Sequence, residues 1–129
     1  MTDVQASVRY LVEDVHSAAR FYTEHLDFHE ALDARPTLVV LERDALRLVL
    51  NGPGSTARQP TSSGVPTPGG WNRIQLVVDD LDGVVSRMRA GGVAFRTAVL
   101  QGRGGSQVLV DDPSGNPVEI FQPDPATGS

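Results

Sequence analysis

The sequence contains no cysteine and no lysine, and aromatic residues make up only 5% of its 129 residues. The absence of cysteine excludes disulfides, cysteine-ligated metal sites and thiol nucleophiles. Eleven arginines stand against sixteen acidic residues, which gives a net charge of −5 at pH 7. An acidic chain without a run of basic residues is not typical of nucleic-acid-binding proteins, so we expect no nucleic-acid partner.

Long apolar segments are also missing. The hydrophobic runs are a few residues long, far short of the roughly 18 that a membrane span requires. Residues 1–5 have neither the basic nor the apolar region of a secretory signal. These features predict a cytoplasmic domain without a membrane partner. Because 40% of the residues are hydrophobic and few of those are aromatic, we expect one aliphatic core.

Hydrophobic periodicity predicts a strand, a helix and two further strands in the first half. Residues 7–12 alternate as a half-buried strand does. Asp14 is the predicted N-cap of the following helix, and Asp27 stands where a left-handed residue would end it. Residues 37–42 and 45–51 are rich in β-formers and predict two strands joined by a turn.

The second half repeats this order. Residues 73–81 align with residues 7–15 at an offset of 66, and Glu119 aligns with Arg47 at an offset of 72. The repeat predicts a strand over 73–78, a helix from the cap Asp80 to Gly91-Gly92, and strands near 94–100, 106–110 and 117–122.

Each half is therefore predicted to be a βαβββ module within a single α+β domain. Residues 6–51 form the first module and residues 71–123 the second. Nine of the 19 residues in 52–70 are glycine or proline, which predicts a linker or mobile lid without a regular element. Residues 124–129 are expected to form a flexible tail.

Three stretches resemble the vicinal oxygen chelate superfamily, which includes glyoxalase I, extradiol dioxygenases and bleomycin resistance proteins. They are residues 8–28, residues 73–82 and the hairpin at 112–120. The resemblance extends over about residues 6–123. It implies a glyoxalase/bleomycin-resistance-like fold in which two βαβββ modules of curved sheet form a cavity. It also implies a homodimer.

The resemblance assigns the metal-ligand positions of such proteins to Ser7, Arg47, Arg73 and Glu119 in this chain. Only Glu119 is a usual ligand, because serine is a poor one and arginine does not lose its proton in proteins. The chain's three histidines are expected to be solvated, on the first helix or just after it; they are His16, His25 and His29. We therefore expect no metal and no other cofactor.

Strand alternation predicts which side chains face the cavity. The candidate ligand-binding residues on strands are Ser7, Arg9, Arg47, Val49, Arg73, Gln75, Gln107, Leu109, Glu119 and Phe121. Trp71 is a further candidate, either as the stacking face of a lid or as a residue packed at the start of a strand. Two interpretations of the arginines stay open. Arg47 or Arg73 pairs with Glu119, or a ligand supplies the missing anion.

These residues favour a metal-independent protein that sequesters an anionic or phenolic, antibiotic-like small molecule in an arginine-bearing cavity. The alternative is a metal-free lyase or isomerase, in which Glu119 acts as a base and Arg47 or Arg73 stabilises an enolate. A metal-dependent glyoxalase or dioxygenase is the reading that the residues favour least.

Overall fold

The computed structural model describes residues 6–125, so residues 126–129 of the predicted tail lie outside the described residues. The chain divides into two compact units, Met1–Gly69 and Gly70–Ser129. The elements are β1 (Ser7–Leu11), α1 (Val15–His25), β2 (His29–Ala34), β3 (Leu38–Arg43), β4 (Leu46–Asn51), β5 (Ile74–Val77), α2 (Leu81–Ala90), β6 (Ala94–Phe95), β7 (Leu100–Gly102), β8 (Gly105–Asp111) and β9 (Pro117–Pro123). Neither α-helix in this described part has the length and hydropathy to cross a membrane.

The first unit is a four-stranded sheet in the order β1-β4-β3-β2 with α1 on one face. Strand β1 runs parallel to β4, and the other pairs are antiparallel. Strand alternation buries Leu48 and Leu50 completely, and α1 adds the fully buried Ala18, Ala19 and Tyr22. The face opposite α1 is called here the open face of the sheet.

Local signals set the limits of α1 as predicted. The Asp14 carboxylate accepts a hydrogen bond from the His16 backbone N–H at 3.0 Å, which caps the first turn. Asp27 has a φ of 60°, the left-handed conformation that ends the helix. Sequence periodicity did not identify β2, because all six residues of this edge strand are exposed and no apolar alternation marks them.

The second unit is a sheet in the order β5-β9-β8-β6, with β7 pairing to β8. The strand predicted near 94–100 is instead two short strands, β6 and β7. The Leu109 N–H donates to the Thr97 hydroxyl at 3.1 Å, while the Leu109 carbonyl accepts from the N–H groups of both Arg96 and Thr97. A side chain thus replaces a backbone partner and interrupts the ladder.

The two parallel strand pairs differ in register. The sequence alignment matches Ser7 to Arg73 and Arg47 to Glu119. In the structure Ser7 lies opposite Arg47, but Glu119 lies opposite Gln75. The difference is two residues, so every side chain keeps its predicted face, because side-chain direction in a strand has a period of two.

The segment 52–70 contains a regular element, which corrects the sequence prediction. Thr56–Arg58 forms a short 3₁₀ helix. The Arg58 guanidinium donates from Nη1 to the carbonyl of Val12 at 2.6 Å, and the Gly52 N–H donates to the Thr37 carbonyl at 2.8 Å. Local composition missed this element because its anchors are 46 and 15 residues away in sequence.

We predict that Gly105→Ala destabilises the protein by about 1–3 kcal/mol, the usual cost of overpacking. A Cβ at Gly105 would collide with the Gln122 carbonyl and lie 2.8 Å from Phe121 Cζ. Gly102→Ala is the matched control, because its Cβ would meet nothing closer than 3.9 Å. Urea unfolding of both variants measures the difference. Equal stabilities would contradict the prediction.

Candidate functional site

A cavity of about 560 Å³ lies on the open face of the first unit's sheet. Its volume falls within the range of roughly 300–1,000 Å³ that is typical of small-molecule sites. The lining combines strand residues with residues that follow β4, namely Ser7, Arg9, Thr37, Leu38, Val40, Arg47, Val49, Asn51, Gly54, Ser55 and Thr56. Four of the predicted site residues, Ser7, Arg9, Arg47 and Val49, are therefore brought together in one cavity.

Arg9 and Arg47 project from neighbouring parallel strands onto this face. Ser7 lies opposite Arg47 and Arg9 lies opposite Val49, so the two arginines are diagonal neighbours. Among residues 6–125, neither guanidinium has a carboxylate oxygen within 4 Å. Glu42 lies across from Arg47 on β3, but its carboxylate is 3.7 Å from His29 Nε2. The cavity thus carries two positive charges without an ion-pair partner in the described chain.

Asn51 holds Arg9 in place. This residue is 1% exposed and ends β4. With its amide oxygen turned toward Arg9, it accepts from Arg9 Nη1 at 3.0 Å, and its amide nitrogen donates to the Val49 carbonyl at 3.1 Å. The hydrogen bond orients the guanidinium without neutralising it, because an amide carries no charge.

In the second unit, by contrast, the arginine on the sheet has a carboxylate partner. Glu119 is 8% exposed, and its Oε1 accepts a hydrogen bond from Arg73 Nε at 3.1 Å and lies 3.1 Å from Nη2 of the same guanidinium. Its Oε2 accepts from Gln75 Nε2 at 2.7 Å. Of the two arginines considered from the sequence, Arg73 is the one that pairs with Glu119. Both carboxylate oxygens of the candidate base are therefore engaged within the protein.

The other predicted site residues also belong to the second unit. Gln107, Leu109 and Phe121 lie on the same face of the second unit's sheet as Glu119, as the β8–β9 register requires. This face is called the open face of the second unit. Trp71 precedes β5 and is 69% exposed, with its ring 4.6 Å from the Arg96 guanidinium carbon. This contact is a cation–π pair between two side chains of the second unit.

A charge cluster anchors the turn that leads into the cavity lining at Thr37. The Arg35 guanidinium donates to both oxygens of Glu30, at 3.2 and 2.6 Å, and lies 2.8 Å from Asp33 Oδ2. The hydrogen bond from Arg35 lowers the pKa of Glu30, and hydrogen bonds from the Arg35 backbone and side chain lower that of Asp33. Both carboxyls raise the pKa of Arg35. The cluster stabilises the turn at pH values above the usual pKa of a carboxyl group. This stabilisation is lost as the pH falls and Glu30 and Asp33 become protonated.

The side chains present do not fit a metal centre of the usual kind. No three histidine, cysteine, aspartate or glutamate side chains in residues 6–125 are grouped so that they could hold a metal ion. Glu119 already neutralises a guanidinium. Two ligand positions implied by the family resemblance, at Arg47 and Arg73, carry cations that would repel a metal ion. His16 and His29 are exposed and His25 is half-buried.

Sequence reasoning missed seven of the cavity residues. Leu38, Val40 and Asn51 lie on the same face as Val49 through the β3–β4 register, and alternation extended by one step along β4 would have found Asn51. Thr37, Gly54, Ser55 and Thr56 stand outside the strands, where no periodic signal exists.

Residues 5–120 match the sequence model of the Glyoxalase/Bleomycin resistance protein/Dioxygenase superfamily. No curated protein sequence is significantly similar to the chain. Among solved structures, TnmS3, an antibiotic binding protein from Streptomyces sp. CB03234, has 24% identity and a TM-score of 0.72, and the match covers 96% of this chain and 98% of that one.

Two further solved structures show the same fold. Lactoylglutathione lyase from Agrobacterium tumefaciens has 20% identity and a TM-score of 0.71, with 95% of this chain and 94% of that chain covered. The fosfomycin resistance protein FosX from Listeria monocytogenes has 14% identity and a TM-score of 0.72, with 96% of each chain covered. The α+β fold predicted from the sequence is confirmed.

We predict that Arg73→Met destabilises the protein by about 1–3 kcal/mol, because it leaves the buried Glu119 carboxylate with Gln75 alone. Arg103→Met is the control, since Arg103 is exposed and the change should cost less than about 0.5 kcal/mol. Urea unfolding compares the two variants. The ion pair would have no structural role if both were equally stable.

Proposed function

Because the chain belongs to the Glyoxalase/Bleomycin resistance protein/Dioxygenase superfamily, we propose that it is a metal-independent protein that binds an anionic or phenolic small molecule. The ligand occupies the cavity of the first unit, and Arg9 and Arg47 bind its negatively charged oxygen atoms. Sequestration of an antibiotic-like compound is the corresponding biological role. It is supported by the antibiotic-binding description of TnmS3, a protein of the same fold.

The observation that carries this proposal is the missing counter-charge. Arg9 is exposed and Arg47 is half-buried, so both guanidinium groups reach solvent. A ligand that shields them from water must supply a counter-charge, because a charge buried without a partner is costly. Here two guanidinium groups face a cavity whose apolar lining includes Leu38, Val40 and Val49. A ligand oxyanion would neutralise them, and the planar fork of arginine suits a carboxylate in particular. The apolar lining would contact the body of the ligand.

Binding without chemistry is favoured over the metal-free lyase or isomerase. A general base needs an oxygen within reach of the proton it removes. Glu119 instead accepts hydrogen bonds on both oxygens, from Arg73 and Gln75, within its own unit. Arg47 belongs to the other unit and has no carboxylate partner among the described residues. These residues are thus better suited to binding an anion than to transferring a proton.

We also infer that the protein is cytoplasmic, in keeping with its short apolar runs, and that it works as a homodimer, as the family resemblance implies. Light scattering of the purified chain measures the oligomeric state, and a mass of 13.8 kDa would correspond to the monomer and contradict the second inference.

We predict that Arg47→Met weakens binding of 8-anilinonaphthalene-1-sulfonate at least about tenfold, the loss typical of one charged hydrogen bond. N-phenyl-1-naphthylamine, which has the same aromatic rings without the sulfonate, should bind wild type less tightly than the anion does. Fluorescence titration measures both affinities. Arg103→Met, a change outside the cavity lining, should leave both at the wild-type values. Absence of saturable binding of the sulfonate to wild type, or equal binding by Arg47→Met, would contradict the proposal.

A second prediction concerns metals. Protein purified without a histidine tag should contain far less than one equivalent of zinc, nickel, manganese or iron by mass spectrometry, because the donor set does not fit these ions. Dialysis against a chelator should leave the affinity for the sulfonate unchanged. One tightly bound equivalent of metal, together with loss of binding after chelation, would refute metal independence.

A further inference from the structure

Asn51 occupies the position where an acidic residue would neutralise the cavity. In the amide orientation that satisfies both of its hydrogen bonds, its side-chain oxygen lies 3.0 Å from Arg9 Nη1, a distance at which a carboxylate would form an ion pair. The residue is 1% exposed and its amide nitrogen is fixed by the Val49 carbonyl, so the amide group is held in one orientation. It contacts the guanidinium and contributes no charge.

The second unit shows what an acid does in a comparable setting. There Glu119 lies on the open face beside Arg73, and the pair is neutral as a whole. Both units therefore orient an arginine on the open face through an oxygen acceptor on a neighbouring strand. The acceptor in the second unit is a carboxylate and the acceptor in the first unit is an amide.

We propose that Asn51 determines the charge selectivity of the cavity, because it positions Arg9 toward the ligand and leaves its positive charge uncompensated. This inference rests on the proposed function. It assigns the ligand to amphiphilic anions with an apolar body. The anionic group lies over β1 and β4, near Arg9 and Arg47. The apolar body lies over β3, where Leu38 and Val40 line the cavity.

The orientation follows from where the lining residues lie across the sheet. Strand β1 is an edge strand, and it contributes Ser7 and Arg9. Strand β4 comes next and contributes the charged Arg47 and the polar Asn51 together with the apolar Val49. Strand β3, farther from that edge, lines the cavity with apolar side chains alone. A ligand with charge at one end and apolar rings at the other matches this gradient.

The test compares Asn51→Asp with Asn51→Ala. The aspartate has nearly the shape of asparagine and would form an internal ion pair with Arg9. It should therefore weaken binding of 8-anilinonaphthalene-1-sulfonate at least about tenfold and make the remaining affinity less dependent on salt. The alanine removes the hydrogen bond without adding charge, so its loss should be no more than about threefold. If Asn51 had a purely structural role, both variants would lose affinity for the sulfonate to the same extent.

The readout is the ratio of affinities for the sulfonate and for N-phenyl-1-naphthylamine, with urea unfolding as the check on folding. If Asn51→Asp does not fold, Asn51→Glu and Asn51→Ser supply the same comparison of charged with neutral side chains. An unchanged ratio in the acidic variant, with wild type still binding the sulfonate through Arg47, would refute the role of Asn51 alone. If wild type binds no sulfonate at all, the proposed function fails first.

Discussion

A guanidinium group keeps its proton under all ordinary conditions, so any group that shields a cavity arginine from water must offer it a negative or polar partner. The two sheets of this chain meet that requirement differently. In the second unit the partner is the Glu119 carboxylate, which accepts a hydrogen bond from Arg73 Nε and forms an ion pair with the guanidinium. In the first unit Arg9 has only the neutral Asn51 amide, and no ion pair to Arg47 is found within the described residues. On the open face of the second unit the charge of Arg73 is therefore neutralised, whereas the open face of the first unit has positive charge available for a ligand.

The rest of the first unit determines where these arginines and the other lining residues of the cavity lie. Burial of Leu48 and Leu50 against α1 fixes the opposite residues of β4, Arg47 and Val49, on the open face. The 3₁₀ helix at Thr56–Arg58, anchored to the Val12 carbonyl, brings Thr56 to the cavity lining. The core thus determines which side chains point toward a ligand, and one core residue, Val40, itself lines the cavity.

Much of this could be predicted from the sequence because it depends on short-range periodicity. Alternation assigned Arg9 and Arg47 to the open face. The repeat predicted a βαβββ order for both halves; the first unit has this order, and the second has one short strand more because β6 and β7 are separate. Edge strand β2 could not be predicted from the sequence, because its residues are exposed on both faces and no apolar pattern marks them. The choice between Arg47 and Arg73 as the partner of Glu119 also escaped, since it depends on contacts 46 residues apart. Sequence spacing alone does not give such contacts.

The two-residue difference in register between the β1–β4 and β5–β9 pairs has a consequence for how such a protein can change over time. A slip of two positions keeps every side chain on its own face of the sheet, because side-chain direction in a strand has a period of two. It does change which polar side chains stand face to face, as with Gln75 opposite Glu119 where Ser7 stands opposite Arg47. Strand sliding in even steps is thus a route by which a repeated module can acquire a new recognition surface at little cost in stability. Libraries built on this scaffold could insert or delete residue pairs in the turns that precede β5 or β9.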